Sequence, residues 1–526
     1  MPVSEKIKTV EEVAKLIEGY KTNNIKVVHA HGCFDLLHYG HIRFLQQGKE
    51  LGPILVVSLT SDEFINKGPG RPLFDNGQRA YQLASLECVD LVCVNYEADA
   101  CNLIETIKPD IAIRGSEYSD SKSDITGKID EERLCVESVG GEMLFIDTPV
   151  YSSTQLVSAG MSHLPAEIAS YKEELKEHNV EGSIDKFFSL VKKTKLLLVG
   201  DLIIDEYVFA NVLGTVSKHS AVSASFKTNN VMGGGALAIA KHMANFVEKV
   251  TYITRIGNKS HYDNDRVLRK INENIQLELI NEKDSYSVVK TRYIASGYSN
   301  PLSGKFKDNT QNTDNRLFEI SHMPAAIDDD SEKQLMSLLD TNLSKTDLLI
   351  VSDFGHGLLS EKTINYMCGL DHFIALNVQT NSSNFGFNLI TKYSRADFIC
   401  IDEIEARLAL GERGNDIDYV AAKILTLIDC KHLMITRGKQ GLIYYSGGTR
   451  TYAPALATNV VDAVGAGDAV FSGAAICAYH GLDVKATALI ASTMGMIGTK
   501  IVGNERSIEM YEVIGNIKGF MKYGSL

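Results

Sequence analysis

The chain has 526 residues, of which 44% are hydrophobic and 23% charged, and a formal net charge of −13. That length makes room for two or three domains, each with its own core, and the acidic balance argues against broad contact with nucleic acid or an anionic membrane surface while permitting a local basic pocket around a phosphate. Nine cysteines without CxxC or other metal spacing fit reduced thiols in the cytoplasm better than a disulfide framework or a zinc site.

Residues 1–20 are polar, with apolar positions at Val10, Val13, Leu16 and Ile17. That spacing predicts a short amphipathic helix and not a signal peptide. No apolar run approaches the ~20 residues of a membrane helix, so no membrane partner is expected. The runs IKVVHAHG, PILVVSLT, VDLVCV, PDIAIRG and MLFIDT are short apolar strands, with helical patterns between them as at Ile42–Leu51 and Gln78–Leu86. This alternation predicts a parallel sheet covered on both faces. Residues 165–195 turn charged and helical, as a linker and the entry to a second domain. From KLLLVGDLIID onward the βα alternation resumes through VTYITRIG, DLLIVSDFG, FIALNV, ADFICID and HLMITRG. Residues 206–230 and 285–320 have short polar strands and predict a small β-rich lid. The stretch 300–315, rich in Asn, Asp, Lys and Gly, is expected to be a mobile loop.

The first chemical site lies where the strand VVHAHG ends. Gly32 permits a tight turn, and a helix starts near Gly40 and His41. Free backbone N–H groups at a helix start attract anions. The imidazoles of His38 and His41 add donors, enough to hold a triphosphate and stabilise charge building on its α-phosphorus. The segment GCFDLLHYGH resembles the GxFD…HxGH signature of the cytidylyltransferase-like nucleotidyltransferases, and the resemblance runs over residues 25–160. NKGPGRPLFDNGQRAYQLASLECVD resembles that family's segment with a phosphate-binding lysine and arginine, here Lys67 and Arg79. KPDIAIRGSEY resembles the strand and loop lining the nucleotide pocket, with Arg114 and Gly115. YSSTQL resembles the helix start that contacts the outer phosphates, here Ser152, Ser153 and Thr154. The resemblance implies catalytic roles for His38, His41 and Lys67, nucleotide contacts at Gly32, Cys33 and Phe34, and a substrate contact at Asp35. The reaction implied is attack of a substrate phosphate oxygen on the α-phosphorus of an NTP, with pyrophosphate leaving, no covalent intermediate, and magnesium bridging the phosphates. DTPVYSSTQL lacks the arginine common in CTP-using relatives, and IRGSEY is nearer the KGGDY of heptose adenylyltransferases. ATP is therefore favoured, with CTP as the alternative.

The second site is VVDAVGAGDAVFSGAAICAY. Gly465, Ala466 and Gly467 lead into Asp468 at the start of an apolar helix. Successive N–H groups there form an anion hole, and Asp468 accepts a proton from a hydroxyl attacking a γ-phosphorus. The stretch resembles the second signature of the ribokinase-like (PfkB) carbohydrate kinases, D-T-x-G-A-G-D-x-F, and the resemblance covers residues 195–510. GDLIIDEY matches the opening strand and places Asp201 and Asp205 at its substrate end. MGGGALAIAKHMA resembles the glycine pair, here Gly234 and Gly235. VSDFGHGLLS resembles the SDYxKG segment. ICIDEIEARLAL falls where the family organises magnesium, here Asp402 and Glu405, and TRGKQGLIYY matches the turn near the nucleotide, with Thr436 and Gly438. Three departures stand out: Ala238 replaces a sugar-binding asparagine, Asp402 replaces the motif's first Asn, and LNVQTNSSNFGF replaces a D-P-K stretch. Within that last segment, Asn377, Gln379, Asn381 and Asn384 are either donors to sugar hydroxyls or loop filler.

Together the resemblances imply an α/β protein of two doubly wound domains. A Rossmann-like nucleotidyltransferase occupies 1–160, a helical linker 161–194, and a ribokinase-like domain with a small β lid 195–526. The expected activity is that of a bifunctional cytoplasmic enzyme, with Mg2+, which phosphorylates a sugar with ATP. It then transfers a nucleotidyl group to a sugar phosphate, giving an NDP-sugar such as an ADP-heptose-like product. This resembles the bifunctional heptose kinase/adenylyltransferase family with its domain order reversed. The alternative is an active nucleotidyltransferase, from CTP to a CDP-polyol or CDP-sugar, with a degenerate, ligand-binding kinase domain. Lids of the ribokinase-like kind pair between subunits, so a homodimer is expected.

Overall fold

Short apolar runs such as ILVV in the first sheet and LLIV in the second form inner strands, as required where helices cover both faces of a sheet. The computed structural model describes residues 2–116, 129–147, 165–178, 180–216, 221–259, 264–269, 271–295, 316–381, 384–458 and 460–522. Two units divide the chain: Met1–Pro165 together with Tyr511–Leu526, and Ala166–Met510. The helical stretch expected as a linker is thus part of the second unit, where helices Ala166–Glu177 and Val180–Val191 bury Tyr171, Leu175, Ile184 and Phe188. The chain's last helix, Met510–Lys522, expected with the kinase-like domain, lies with the first unit.

In the first unit β1 (Val27–Gly32), β2 (Ile54–Thr60), β3 (Leu91–Asn95), β4 (Ile111–Gly115) and β5 (Glu142–Ile146) form a parallel sheet in the order β3-β2-β1-β4-β5. The order reverses at β1, and ligands of such sheets bind beyond the strands' carboxyl ends at that switch point. The amphipathic N-terminal helix is broken in two. A turn at Val3–Lys6 ends where Ile7 bridges Val92, and Thr9 and Glu12 then form a capping box that starts Val10–Thr22. Reduced thiols were expected, but Cys101 and Cys135 form a disulfide. They are 34 residues apart in sequence and are brought within 5.7 Å (Cα to Cα) by the packing of helix Cys101–Ile107 beside Ile129–Ser138. Cys33, Cys88, Cys93, Cys368, Cys400, Cys430 and Cys477 are free.

The second unit holds a larger sheet in the order β10-β9-β6-β13-β14-β15-β16-β17-β18. It contains β6 (Lys195–Gly200), β9 (Lys249–Gly257), β10 (Ile275–Glu282), β13 (Leu348–Asp353), β14 (Phe373–Val378), β15 (Arg395–Asp402), β16 (Asp429–Thr436), β17 (Leu442–Ser446) and β18 (Thr449–Ala453). It is parallel from β10 to β16 and antiparallel thereafter. The run KLLLVGDLIID divides at Asp201, between β6 and the following strand, and the Asp201 carbonyl accepts the N–H of Ala236, the first residue of helix Ala236–Ala244. The chain then enters the lid, a four-stranded sheet β12-β11-β7-β8 built from β7 (Leu202–Thr215), β8 (Val222–Gly235), β11 (Val288–Ala295) and β12 (Arg316–His322). The loop expected at 300–315 lies outside the described residues. Among the described residues no helix is long and apolar enough to cross a membrane.

Candidate active sites

At the carboxyl end of β1 the chain is pulled tight. A Cβ on Gly32 would stand 3.1 Å from the Phe34 ring, and Phe34 itself has a φ of 46°, a left-handed conformation that an aromatic residue rarely adopts. His38 is the N-cap of helix Tyr39–Glu50, its Nδ1 accepting the His41 N–H at 3.4 Å. The His38 and His41 rings stack with centroids 3.8 Å apart, and Phe34 meets His41 edge-on at 5.3 Å. Burial, then the neighbouring His38 ring and the Lys67 charge, push His41 down to about 3, against a smaller pull from the Leu36 carbonyl. Burial and Lys67 lower His38 as well. Both imidazoles are therefore neutral near pH 7, and the positive charge in this cluster is that of Lys67.

Other expected ligands also brace the loop. Arg79, expected on phosphate, is fully buried: Nη1 donates to the Cys33 carbonyl at 2.6 Å, Nε to the Phe74 carbonyl at 3.0 Å, and Nη2 to Asp62 and Asn76. Arg114 donates to the His31 carbonyl and to Glu132. Asp35 is fully buried, ion-paired with Arg71 and accepting the Leu73 N–H at 2.6 Å. Through these bonds the three residues hold Cys33, His31 and the 71–73 segment in place. Gly115 ends β4. Ser152, Ser153 and Thr154 lie outside the described residues. Arg71 and Glu132, the partners that complete these braces, have no motif of their own in the sequence.

The second site gathers at another helix start. Gly465, with φ 82°, is the N-cap of Ala466–Tyr479, and no side chain caps that helix. The Ala466 N–H donates to the Ala463 carbonyl at 3.4 Å, and an anion at this helix start would meet the N–H groups of the first turn beyond it. A Cβ on Gly465 would lie 2.7 Å from Asn504 Oδ1, and Asn504 Nδ2 donates to Asp205 at 3.5 Å. Asp468 is buried in the first turn with Ala466 and Gly467. Burial pushes its carboxyl up to about 7, Gln379 and Lys290 pull it down, and Asp205 pushes it up. Gln379 Nε2 donates to Asp468 Oδ1 at 2.5 Å. Of the polar cluster in the 376–387 segment, Gln379 alone makes this contact; Asn377, Asn381 and Asn384 donate to the carbonyls of Cys400 and Phe354.

The glycine pair is explained by the acids beside it. A Cβ on Gly234 would stand 1.9 Å from Asp205 Oδ2, and one on Gly235 (φ 59°) 2.7 Å from the Asp201 carbonyl. Asp205 is ion-paired with Arg292, which also meets Glu319 at 3.0 Å. Asp201 accepts the His356 N–H at 3.3 Å and is pushed up to about 6 by burial and by Asp353. Asp402 ends β15 in register with Thr436 of β16, and Gly438 (φ 53°) opens the turn beyond. Asp402 and Glu405 form a capping box on helix Glu403–Leu410. Glu405 accepts the Thr380 N–H at 2.7 Å and is pushed up to about 7, chiefly by burial. Among the described residues no group of three or more His, Cys, Asp or Glu is arranged to hold a metal. Magnesium bound with nucleotide needs only one or two carboxylates, the rest of its shell being phosphate and water. Asp402 and Glu405 supply that number of carboxylates, their oxygens here accepting the Ile404, Thr380 and Asp402 N–H groups.

Comparison with known proteins matches both halves. Residues 193–509 match the pfkB family carbohydrate kinases, and residues 29–159 match the cytidylyltransferase-like family. The bifunctional protein HldE of Geobacter metallireducens is 41% identical over 140 residues, 26% of this chain and 27% of that one. HldE of Sulfurimonas denitrificans is 42% identical over 139 residues, 26% and 29% respectively. The chain thus spans little more than a quarter of the length of these curated relatives, and the match falls in its N-terminal region. Similar solved structures include phosphofructokinase-2 from Escherichia coli (12% identity, 63% of this chain and 99% of that one, TM-score 0.47) and ribokinase from Thermotoga maritima (16%, 62% and 99%, TM-score 0.45). The pfkB match spans more than half of the chain, so the protein belongs to the pfkB family of carbohydrate kinases, and it carries a cytidylyltransferase-like domain ahead of that region.

Proposed function

We propose that the chain is a two-activity enzyme: it phosphorylates a sugar with ATP in the unit Ala166–Met510, and in the other unit transfers a nucleotidyl group from an NTP to a sugar phosphate. The carrying observation is the burial of Asp468 at an uncapped helix start, its carboxyl pushed up to about 7. A base with its pKa near the working pH suits proton removal from a hydroxyl as that oxygen attacks a γ-phosphorus. The turn of Gly465, Ala466 and Gly467 would take the charge on the transferring group through its amides, that of Ala466 on leaving the Ala463 carbonyl, and Thr436 and Gly438 would flank the nucleotide. Asp201, Asp205, Gly234 and Gly235 form the acceptor side. Asp402 and Glu405 would hold Mg2+, which neutralises phosphate charge when bound.

In the other half, neutral His38 and His41 donate hydrogen bonds and Lys67 supplies the charge. A phosphate oxygen of the acceptor forms the new bond to the α-phosphorus, the α–β bridging bond breaks, and pyrophosphate leaves. Ser152, Ser153 and Thr154 would meet the outer phosphates. ATP is favoured over CTP on the IRGSEY pattern, and an ADP-heptose-like sugar is the product favoured by the HldE likeness. A cytoplasmic homodimer joined through the lid agrees with the exposed apolar side chains of that sheet, Leu213, Phe226, Phe318 and Ile320. A second reading rests on Ala238, which offers no polar group where kinases of this kind bind sugar. In that reading the kinase-like unit only binds ligand, and the other unit makes a CDP-polyol or CDP-sugar.

The test is incubation of the full chain with ATP or CTP and a panel of sugars and sugar phosphates, heptoses included, with ADP and pyrophosphate followed by mass spectrometry. Formation of both supports the two-activity enzyme. Pyrophosphate alone supports the second reading, and neither product removes both.

A further inference from the structure

We infer that the helix Met510–Lys522 is a positioning element for Lys67, so that the nucleotidyl-transfer site is completed by the far end of the chain. This rests on the reading of Lys67 as a nucleotide-site residue. The helix begins just where the pfkB match stops, at residue 509, yet residues 511–526 belong to the first unit. One side of it carries the buried Glu512, Gly515, Asn516 and Phe520 and the half-buried Gly519, at spacings that share a helix face. That side lies against the segment 66–68. Asn516, itself buried, accepts the Gly68 N–H at 3.2 Å through Oδ1 and donates to Asn66 Oδ1 at 3.2 Å through Nδ2.

The contact leaves no room for a methyl group on either side. A Cβ on Gly519 would lie 2.8 Å from the Lys67 carbonyl carbon and 2.9 Å from its oxygen. A Cβ on Gly68, whose φ is +90°, would lie 3.0 Å from the Phe520 nitrogen. Gly515 comes as close to Asn66, at 3.1 Å. The backbone of Lys67 is thus fixed from both flanks by one carboxamide and from above by a glycine. Its ammonium is the charge felt by His38 and His41. A shift of about 1 Å in a positioning group is enough to cost a large factor in rate, so displacing this helix displaces the Lys67 charge.

The test uses the full chain. Gly519→Ala introduces the clashing Cβ, and Asn516→Ala removes both bonds to the segment while favouring the helix. Each is expected to lower kcat/KM for the NTP in pyrophosphate release by roughly ten- to a hundredfold. Added to Lys67→Ala, neither lowers it further, because the group they position is gone. A general loss of packing would instead multiply with Lys67→Ala, and that result, or unchanged kcat/KM in both single variants, overturns the inference. If Gly519→Ala fails to fold, Asn516→Ala alone decides. Asn516→Asp, which keeps the acceptor for Gly68, should recover part of the loss. If Lys67→Ala itself leaves pyrophosphate release intact, the reading of Lys67 falls and the inference with it, an outcome distinct from failure of the helix variants alone.

Discussion

Helix Tyr39–Glu50 starts under a histidine that caps it and stacks on a second histidine; helix Ala466–Tyr479 starts under a glycine with no side-chain cap, and its first turn buries a carboxyl. Both are positive helix ends suited to phosphate. They differ in what else they offer. The first holds neutral imidazoles and a lysine, with Asp35 locked onto Arg71. The second holds Asp468 poised near neutrality, with Asp402 and Glu405 also raised. In the proposed chemistry this follows from the nucleophile. A phosphate oxygen is already an anion and needs no base, so a carboxylate beside it would only repel. A sugar hydroxyl must lose a proton, so the second site needs an acid that is ionised for part of the time.

The contrast breaks most sharply at Asp468. Asp468→Asn keeps size and hydrogen bonding but removes the base, and ADP formation should fall about 10²–10⁴-fold. Pyrophosphate release should be untouched. Equal loss of both products would mean that the two sites are not chemically separate. The reverse experiment is His41→Ala, which should lower pyrophosphate release by roughly 10²-fold through the lost donor and leave ADP formation as it was.

A smaller effect separates capping from chemistry at His38. Asparagine is among the best N-caps, so His38→Asn should keep helix Tyr39–Glu50 and its thermal stability. It removes the ring stacked on His41, and about a tenfold loss of pyrophosphate release is expected from one missing donor. A fall in stability with no change in rate would make His38 a cap alone.

The motifs made both helix starts legible, because glycine turns and the residues beside them act locally. His38 and Asp468 stand at the helix ends that the spacing predicts. The parallel sheets were legible for a similar reason, since uninterrupted apolar runs such as LLLVG and VVHAHG have no other place to go. What could not be read was the destination of long-range polar groups. An arginine reads the same whether its donors face a ligand or a carbonyl, so the turn of Arg79 toward Cys33 and of Arg114 toward His31 left no trace in the motif. The pairing of Cys101 with Cys135 depends on two helices meeting. The helix Met510–Lys522 has an ordinary amphipathic pattern, and nothing in that pattern says which unit's surface its glycines will meet.

The subtlest difference between the two sites lies in proton affinity, and Gln379 tests it. Asp468 must be ionised to accept a proton, so kcat/KM for ADP formation should rise with pH through about 7 and then level off. The hydrogen bond from Gln379 favours the ionised carboxylate and so lowers its pKa. In Gln379→Ala that support is gone, the pKa rises, and the rising limb should move to higher pH while the plateau rate is kept. Glu405 is also pushed up to about 7, so the profile is taken at saturating magnesium, where a bound cation would keep that group ionised. Pyrophosphate release, which in this reading uses imidazoles that burial keeps neutral near pH 7, should show no matching shift. A limb that stays in place would mean that Gln379 does not tune the base, and a lost plateau would make it a ligand of the acceptor sugar instead.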